Sequence, residues 1–218
     1  MIHPVYFAMF IGHFGPAEFL LHINKTIPVL PIAIGVSYPD LLWPVLVYLK
    51  KEKVRVSASS PLQNTIEFVS YPFSHSLVLS TILTLIPATV CALIYHRPIV
   101  GLFFLIAALS HWLLDTLMHL PDLPILGFGR DKKIGLALWN HLPFAFVFEY
   151  VFFAACTLLF TPSTKWVLLL IGGLAFHALN ANSFFGLTKK NPTSTANLYA
   201  TLALVGFGAA IVWFTLTI

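Results

Sequence analysis

Six stretches of this chain are each apolar enough and long enough to cross a lipid bilayer, and this constrains the fold more than any other feature. They cover approximately residues 28–49, 73–95, 98–120, 138–160, 165–185 and 196–217. A spanning helix needs about 20 predominantly apolar residues, because the hydrocarbon core is about 30 Å thick and a helix rises about 1.5 Å per residue. In lipid every backbone polar group must be satisfied internally, so segments of this length are expected to be helices. A shorter stretch, 5–22, carries His13 and Glu18 and is expected to form a first, seventh helix. The chain is 58% hydrophobic and only 9% charged, against roughly 25% charged in a soluble domain. The expected fold is all-α, a polytopic transmembrane helical bundle of six or seven spans. Residues 1–218 are expected to form a single integral membrane domain, because no connection is long enough to hold a soluble one.

The net charge of +4 is best read through loop asymmetry. Loop 50–72 carries Lys50, Lys51, Lys53 and Arg55; loop 121–137 carries Arg130, Lys132 and Lys133; loop 186–195 carries Lys189 and Lys190. The opposite side has only Lys25, Arg97 and Lys165, so nine of the twelve basic residues mark one face. The positive-inside rule makes that face cytoplasmic. No basic run interleaved with aromatics points to nucleic acid. The start lacks the basic segment and cleavage site of a signal peptide. Cys91 and Cys156 both fall in spans, with no spacing that suggests a disulfide framework or a thiolate metal site.

Proline and charge mark the segment ends. Pro98 opens one span after Arg97, as a proline in a first helical turn can, and Pro121 and Pro124 follow its end. Pro39 and Pro44 lie inside the 28–49 segment and are expected to break or kink it beside Asp40. Leu62, Ile66 and Val69 in loop 50–72 suit a short interfacial helix that could cover a site.

Within the 98–120 segment runs Ser110-His111-Trp112-Leu113-Leu114-Asp115-Thr116-Leu117-Met118-His119. On a helix His111, Asp115 and His119 share one face, fanned over about 80°. Ionisable groups at membrane depth are costly and mark function by default. Under the charge-derived topology Asp40, His13, His75, Asn140, His141 and Glu149 fall in the same leaflet as this triplet. Apart from Lys165 at the outer edge of its segment, no lysine or arginine lies in the spans, so none can pair with Asp40 or Asp115. A buried carboxylate with no partner would have to take up a proton. Imidazole and carboxylate are ligands of zinc and similar divalent ions, so a shared metal satisfies both aspartates together. A histidine–carboxylate proton relay is the other way to satisfy them. His119 either extends the site or caps it. His177, with Asn180 and Asn182, fits helix–helix hydrogen bonding equally well. There is no Walker A loop, no nucleophile elbow and no His-Glu-x-x-His pair.

At these positions the chain resembles a bacterial family, the membrane-bound metal-dependent hydrolases of the LexA-binding inner-membrane type. The resemblance rests on Gly12-His13, Tyr38-Pro39-Asp40-Leu41, Phe73-Ser74-His75-Ser76-Leu77 and Ser110-His111-Trp112-Leu113-Leu114-Asp115. The run from Gly135 to Asn140 and on to Glu149 is similar to one branch, so the resemblance covers approximately residues 10–150. Two departures stand out. Leu42 occupies the place of a second aspartate in the Pro-Asp motif, and Ser70-Tyr71-Pro72-Phe73 replaces a His-Arg-Gly. The resemblance implies a bacterial inner (plasma) membrane protein and hydrolytic chemistry without naming a substrate.

The expected function is metal-dependent hydrolysis near the cytoplasmic leaflet. His13, Asp40, His75, His111 and Asp115 are the expected ligands of a divalent ion, zinc by ligand type, and Glu149 the expected general base. Site depth points to membrane lipids as partners and a lipid or lipid-linked molecule as substrate. The alternative is a proton- or ion-coupled transporter using the same cluster, in which Pro39 and Pro44 would suit a broken helix. A third reading is a scaffold whose polar cluster is a packing network without metal.

Overall fold

The computed structural model describes residues 10–56, 66–188 and 190–218. A 310 turn, Ile11–His13, leads into α1 (Phe14–Ile23), and α2 follows (Val29–Tyr48). A β-hairpin of β1 (Lys53–Val56) and β2 (Ile66–Ser70) comes next. Then come α3 (Pro72–His75), α4 (Leu77–Ile94) and α5 (Pro98–Met118). A two-residue ladder pairs β3 (Leu123–Pro124) with β4 (Lys133–Ile134). A 310 turn at Leu138–His141 precedes α6 (Leu142–Phe160), α7 (Ser163–Phe185) and α8 (Ala196–Thr217).

The protein is an all-α helical bundle, and six of its helical segments are long and apolar enough to cross a membrane. It is an integral membrane protein. The expected seventh segment, 5–22, lies partly outside the described residues. Its described part comprises the 310 turn Ile11–His13 and α1, which together rise about 21 Å, short of the hydrocarbon core. The lipid-facing surface is apolar: Ile86, Leu93, Leu168, Leu179 and Leu216 are all exposed. Along α4 the buried positions are Ser80, Thr84 and Ala88, while Ile82, Leu85, Ile86, Val90 and Leu93 face outward. In a membrane the small residues let helix backbones approach and the large ones meet lipid.

α2 is the central helix, packed against α5 and α8. A Cβ on Gly35 would lie 2.8 Å from Ala107 Cβ and 2.9 Å from the Phe104 carbonyl, so only glycine lets α2 and α5 come this close. The packed interior there includes Phe14, Ile32, Val36, Ala107, Phe153 and Phe214.

The structure differs from the sequence reading in three places that bear on the site. First, α2 is not broken: it continues through Pro39 and Pro44 as one helix. Each proline removes one intrahelical donor, and contacts along both flanks keep the helix continuous. Second, where an interfacial helix is expected, the described parts of loop 50–72 pair as two antiparallel strands, with Ile66 and Val69 on the second. Lys53-Val54-Arg55-Val56 alternates polar and apolar, and Val54 and Ile66 are buried against Trp43, Tyr71, Leu123 and Tyr199. Leu62 lies outside the described residues. Third, segment 73–95 is broken at Ser76, which is extended at φ −87°, ψ 145°. The Ser76 hydroxyl caps α4 by accepting from the Ser80 N–H, and the Trp112 indole N–H donates to the freed His75 carbonyl at 3.0 Å. The break sets His75 on a separate turn of helix, free of α4's spiral.

Candidate metal centre

Four elements bring their ionisable side chains together at the end of the bundle that carries the hairpin. The 310 turn supplies His13, α2 supplies Asp40, α3 supplies His75, and α5 supplies His111 and Asp115. All five are buried, between 0% and 6% exposed, so bulk water screens none of their charges. Asp115 lies at the centre. Its Oδ1 is 3.3 Å from His13 Nε2, and its Oδ2 is 3.2 Å from His111 Nε2 and 3.8 Å from His75 Nε2. Asp40 Oδ1 is 3.2 Å from His75 Nε2, and its Oδ2 is 3.6 Å from His111 Nε2.

The far side of each ring determines which nitrogen carries the proton. His111 Nδ1 lies 2.7 Å from the Val36 carbonyl, which can only accept, so Nδ1 is the protonated nitrogen. His75 Nδ1 lies 2.7 Å from Ser74 Oγ. The Ser74 hydroxyl donates to Glu52 Oε2 at 2.7 Å, so its oxygen accepts from His75 Nδ1–H. In a neutral imidazole this leaves the Nε2 lone pair bare and aimed at the carboxylates. Lone pair facing lone pair is repulsive unless a cation lies between them or a second proton charges the ring. Tying Nδ1 to a carbonyl or carboxylate is also how metal-binding histidines are oriented.

Six atoms facing the centre have no hydrogen-bond partner: His13 Nε2, His111 Nε2, His119 Nε2, Asp40 Oδ2 and both Asp115 oxygens. Two triplets, His13–His111–Asp115 and Asp40–His75–His111, have their donor atoms close enough together to hold a metal ion. The residues present therefore fit a divalent ion in number, type and direction.

Three contributors are missing from the sequence reading or underweighted in it. Glu52, in the turn before β1, is only 2% exposed and accepts from Phe73 N–H (2.7 Å), Ser74 N–H (2.9 Å) and the Ser74 hydroxyl. It thereby fixes α3 and, through Ser74, the His75 ring. Burial pushes the Glu52 carboxyl above its ordinary range, against the opposing pull of the Ser74 hydrogen bonds and of His75. The only hint in the sequence is an acid set between Lys51 and Lys53 in a chain with eight acidic residues. The third contributor, His119, is 1% exposed, with Nδ1 3.1 Å from Asp122 and Nε2 4.0 Å from Asp115 Oδ2. It extends the cluster.

Glu149, expected as the general base, makes no hydrogen bond or ion pair to the five expected ligands. Its Oε1 accepts from Phe10 N–H (2.5 Å) and Gly12 N–H (3.3 Å), clasping the turn that carries His13. Its Oε2 faces His177 Nδ1 at 3.9 Å. Asn140 and His141 are exposed, and from the same 310 turn the buried Trp139 packs against His119, with ring centroids 4.2 Å apart.

A cavity of about 400 Å³ opens beside the hairpin, lined by Lys50, Glu52, Lys53, Arg55 and Asn197 among others. Glu52 is the one residue common to this cavity and the support of the cluster. Phe68 and Tyr71, from the hairpin and the residue after it, pack against His119. The chain matches no protein-family model, no curated protein and no solved structure.

Proposed function

We propose that this protein is a membrane-embedded hydrolase dependent on a divalent metal, zinc by ligand type, acting near the cytoplasmic leaflet on a lipid or lipid-linked substrate. The observation that carries the reading is the convergence of unpartnered Nε2 and carboxylate atoms from three elements, joined by His75 Nε2 from α3 against Asp40, with the far nitrogens of His75 and His111 tied off. The motif resemblance to membrane-bound metal-dependent hydrolases suggests the bacterial inner membrane as location, though the chain matches no family model. A divalent ion held there would supply Lewis acidity and bring the pKa of a bound water toward neutrality.

The chain's own groups have separable tasks. His13, His75, His111 and Asp115 hold and orient. The Glu52–Ser74 pair keeps His75 in the tautomer that presents Nε2. Asp40 belongs with these ligands: with His75 and His111 it forms the second triplet whose donor atoms could hold an ion, and its Oδ2 has no hydrogen-bond partner. Glu149 we read as a positioning residue for the His13 turn. Phe68 and Tyr71 pack against His119, and Tyr71 also packs against His75.

The transporter reading draws on a broken helix at Asp40, and α2 is continuous there. A hydrolysis screen on lipid esters and lipid phosphates in detergent, with and without chelator, tests the proposal beside a flux assay in liposomes. Chelator-sensitive turnover that Asp115→Ala abolishes supports it. Chelator-insensitive flux from a metal-free protein overturns it.

A further inference from the structure

The stacking of His13 on His111 bears on how many ions the cluster holds. Their ring centroids are 3.6 Å apart and their planes 8° from parallel. Both Nε2 atoms point the same way, at opposite oxygens of one carboxylate: His13 at Asp115 Oδ1 (3.3 Å) and His111 at Asp115 Oδ2 (3.2 Å). Two imidazoles sharing one tetrahedral ion must aim at a common point, with their axes splayed by about 109°. Parallel stacked rings do not converge. Their lone pairs run side by side, one stacking distance apart. That separation matches the roughly 3.5–4 Å between the ions of two-metal sites.

The donor count points the same way. Four imidazole nitrogens, from His13, His75, His111 and His119, surround two carboxylates. A single tetrahedral zinc takes four ligands in all. On the Asp115 Oδ1 side stands His13. On the Oδ2 side stand His111, His75 and Asp40, with His119 at 4.0 Å.

We propose that the cluster holds two divalent ions bridged by Asp115, one on His13 and Oδ1, the other on His111, His75, Asp40 and Oδ2. This rests on the metal-centre reading above, and one experiment separates the two. The full-length protein in detergent is stripped with chelator and reloaded with Mn²⁺. Bound metal per chain is measured by elemental analysis, and coupling between ions by electron paramagnetic resonance.

The expected result is two ions per chain with an exchange-coupled signal in the wild type, and one uncoupled ion in His13→Ala. One uncoupled ion in the wild type overturns the two-ion proposal and leaves the metal centre standing. No bound metal in the wild type overturns both. Two coupled ions in folded His13→Ala overturn the assignment of His13 and with it the proposal. If His13→Ala fails to fold, the wild-type stoichiometry and signal still decide.

Discussion

Glutamine in place of Glu52 tests whether a residue outside the metal shell sets the state of one inside it. Glu52 Oε1 accepts two backbone N–H groups and Oε2 accepts the Ser74 hydroxyl, whose oxygen in turn accepts from His75 Nδ1. Glutamine keeps an oxygen for the two backbone donors but puts an NH2 where Oε2 was. That group must donate to Ser74 Oγ, which turns the serine proton toward His75 Nδ1. Nδ1 becomes the acceptor, and Nε2 takes the proton that excludes metal. Loss of an orienting partner of this kind typically weakens metal binding by roughly 10- to 100-fold, or about 1.4–2.8 kcal/mol. The stability cost is about 1–3 kcal/mol, because three charge-assisted hydrogen bonds are exchanged for neutral ones while one fewer charge is buried. Ser74→Ala retains the Glu52 charge while cutting the same relay, so its metal affinity should fall comparably. Competition against a chromophoric chelator measures affinity, and thermal unfolding in detergent measures stability. Wild-type affinity in both folded variants would refute the orienting role.

Three further outcomes follow from the geometry. Gly35→Ala forces α2 away from α5, because its Cβ would lie 2.8 Å from Ala107 Cβ; it should cost about 1–3 kcal/mol by overpacking and weaken metal binding by separating Asp40 from His111, read by thermal unfolding and chelator competition. Glu149→Gln should keep the backbone contacts of Phe10 and Gly12 and most of the turnover, whereas Glu149→Ala should loosen the His13 turn and reduce metal affinity; complete loss of turnover in Glu149→Gln with metal retained would restore it as general base. Cysteines at positions 53 and 132 should resist labelling from outside the cell while one at the C-terminus reacts; the reverse pattern would put the site in the outer leaflet.

The clustering of the buried histidines and aspartates is legible in the sequence because the signals that mark it are local. The His111 and Asp115 spacing fixes a shared face on any helix, and an unpaired Asp40 in an apolar segment calls for a partner wherever it packs. What supports them was not legible. Glu52 and Ser74 are 22 residues apart, and only the hairpin's return brings them together. The hairpin itself was readable in the alternation of Lys53-Val54-Arg55-Val56, but Ile66 and Val69 also fit a helical spacing, and short segments carry both periods. Glu149 looked like a base because a carboxylate at the right depth satisfies the chemistry. Its backbone partners, Phe10 and Gly12, are 139 and 137 positions away in sequence, so periodicity could not reveal them. The continuity of α2 through Pro39 and Pro44 likewise depends on neighbours, which proline statistics do not include.

The central claim is that Asp115 and its histidines hold a divalent metal. Elemental analysis of the protein purified without chelator, wild type beside Asp115→Ala and matched for folding by thermal unfolding, tests it most directly. The expected result is at least one tightly held divalent ion per wild-type chain and none in Asp115→Ala. A folded wild-type protein that carries no metal and binds none on addition of Zn²⁺ or Mn²⁺ would contradict it.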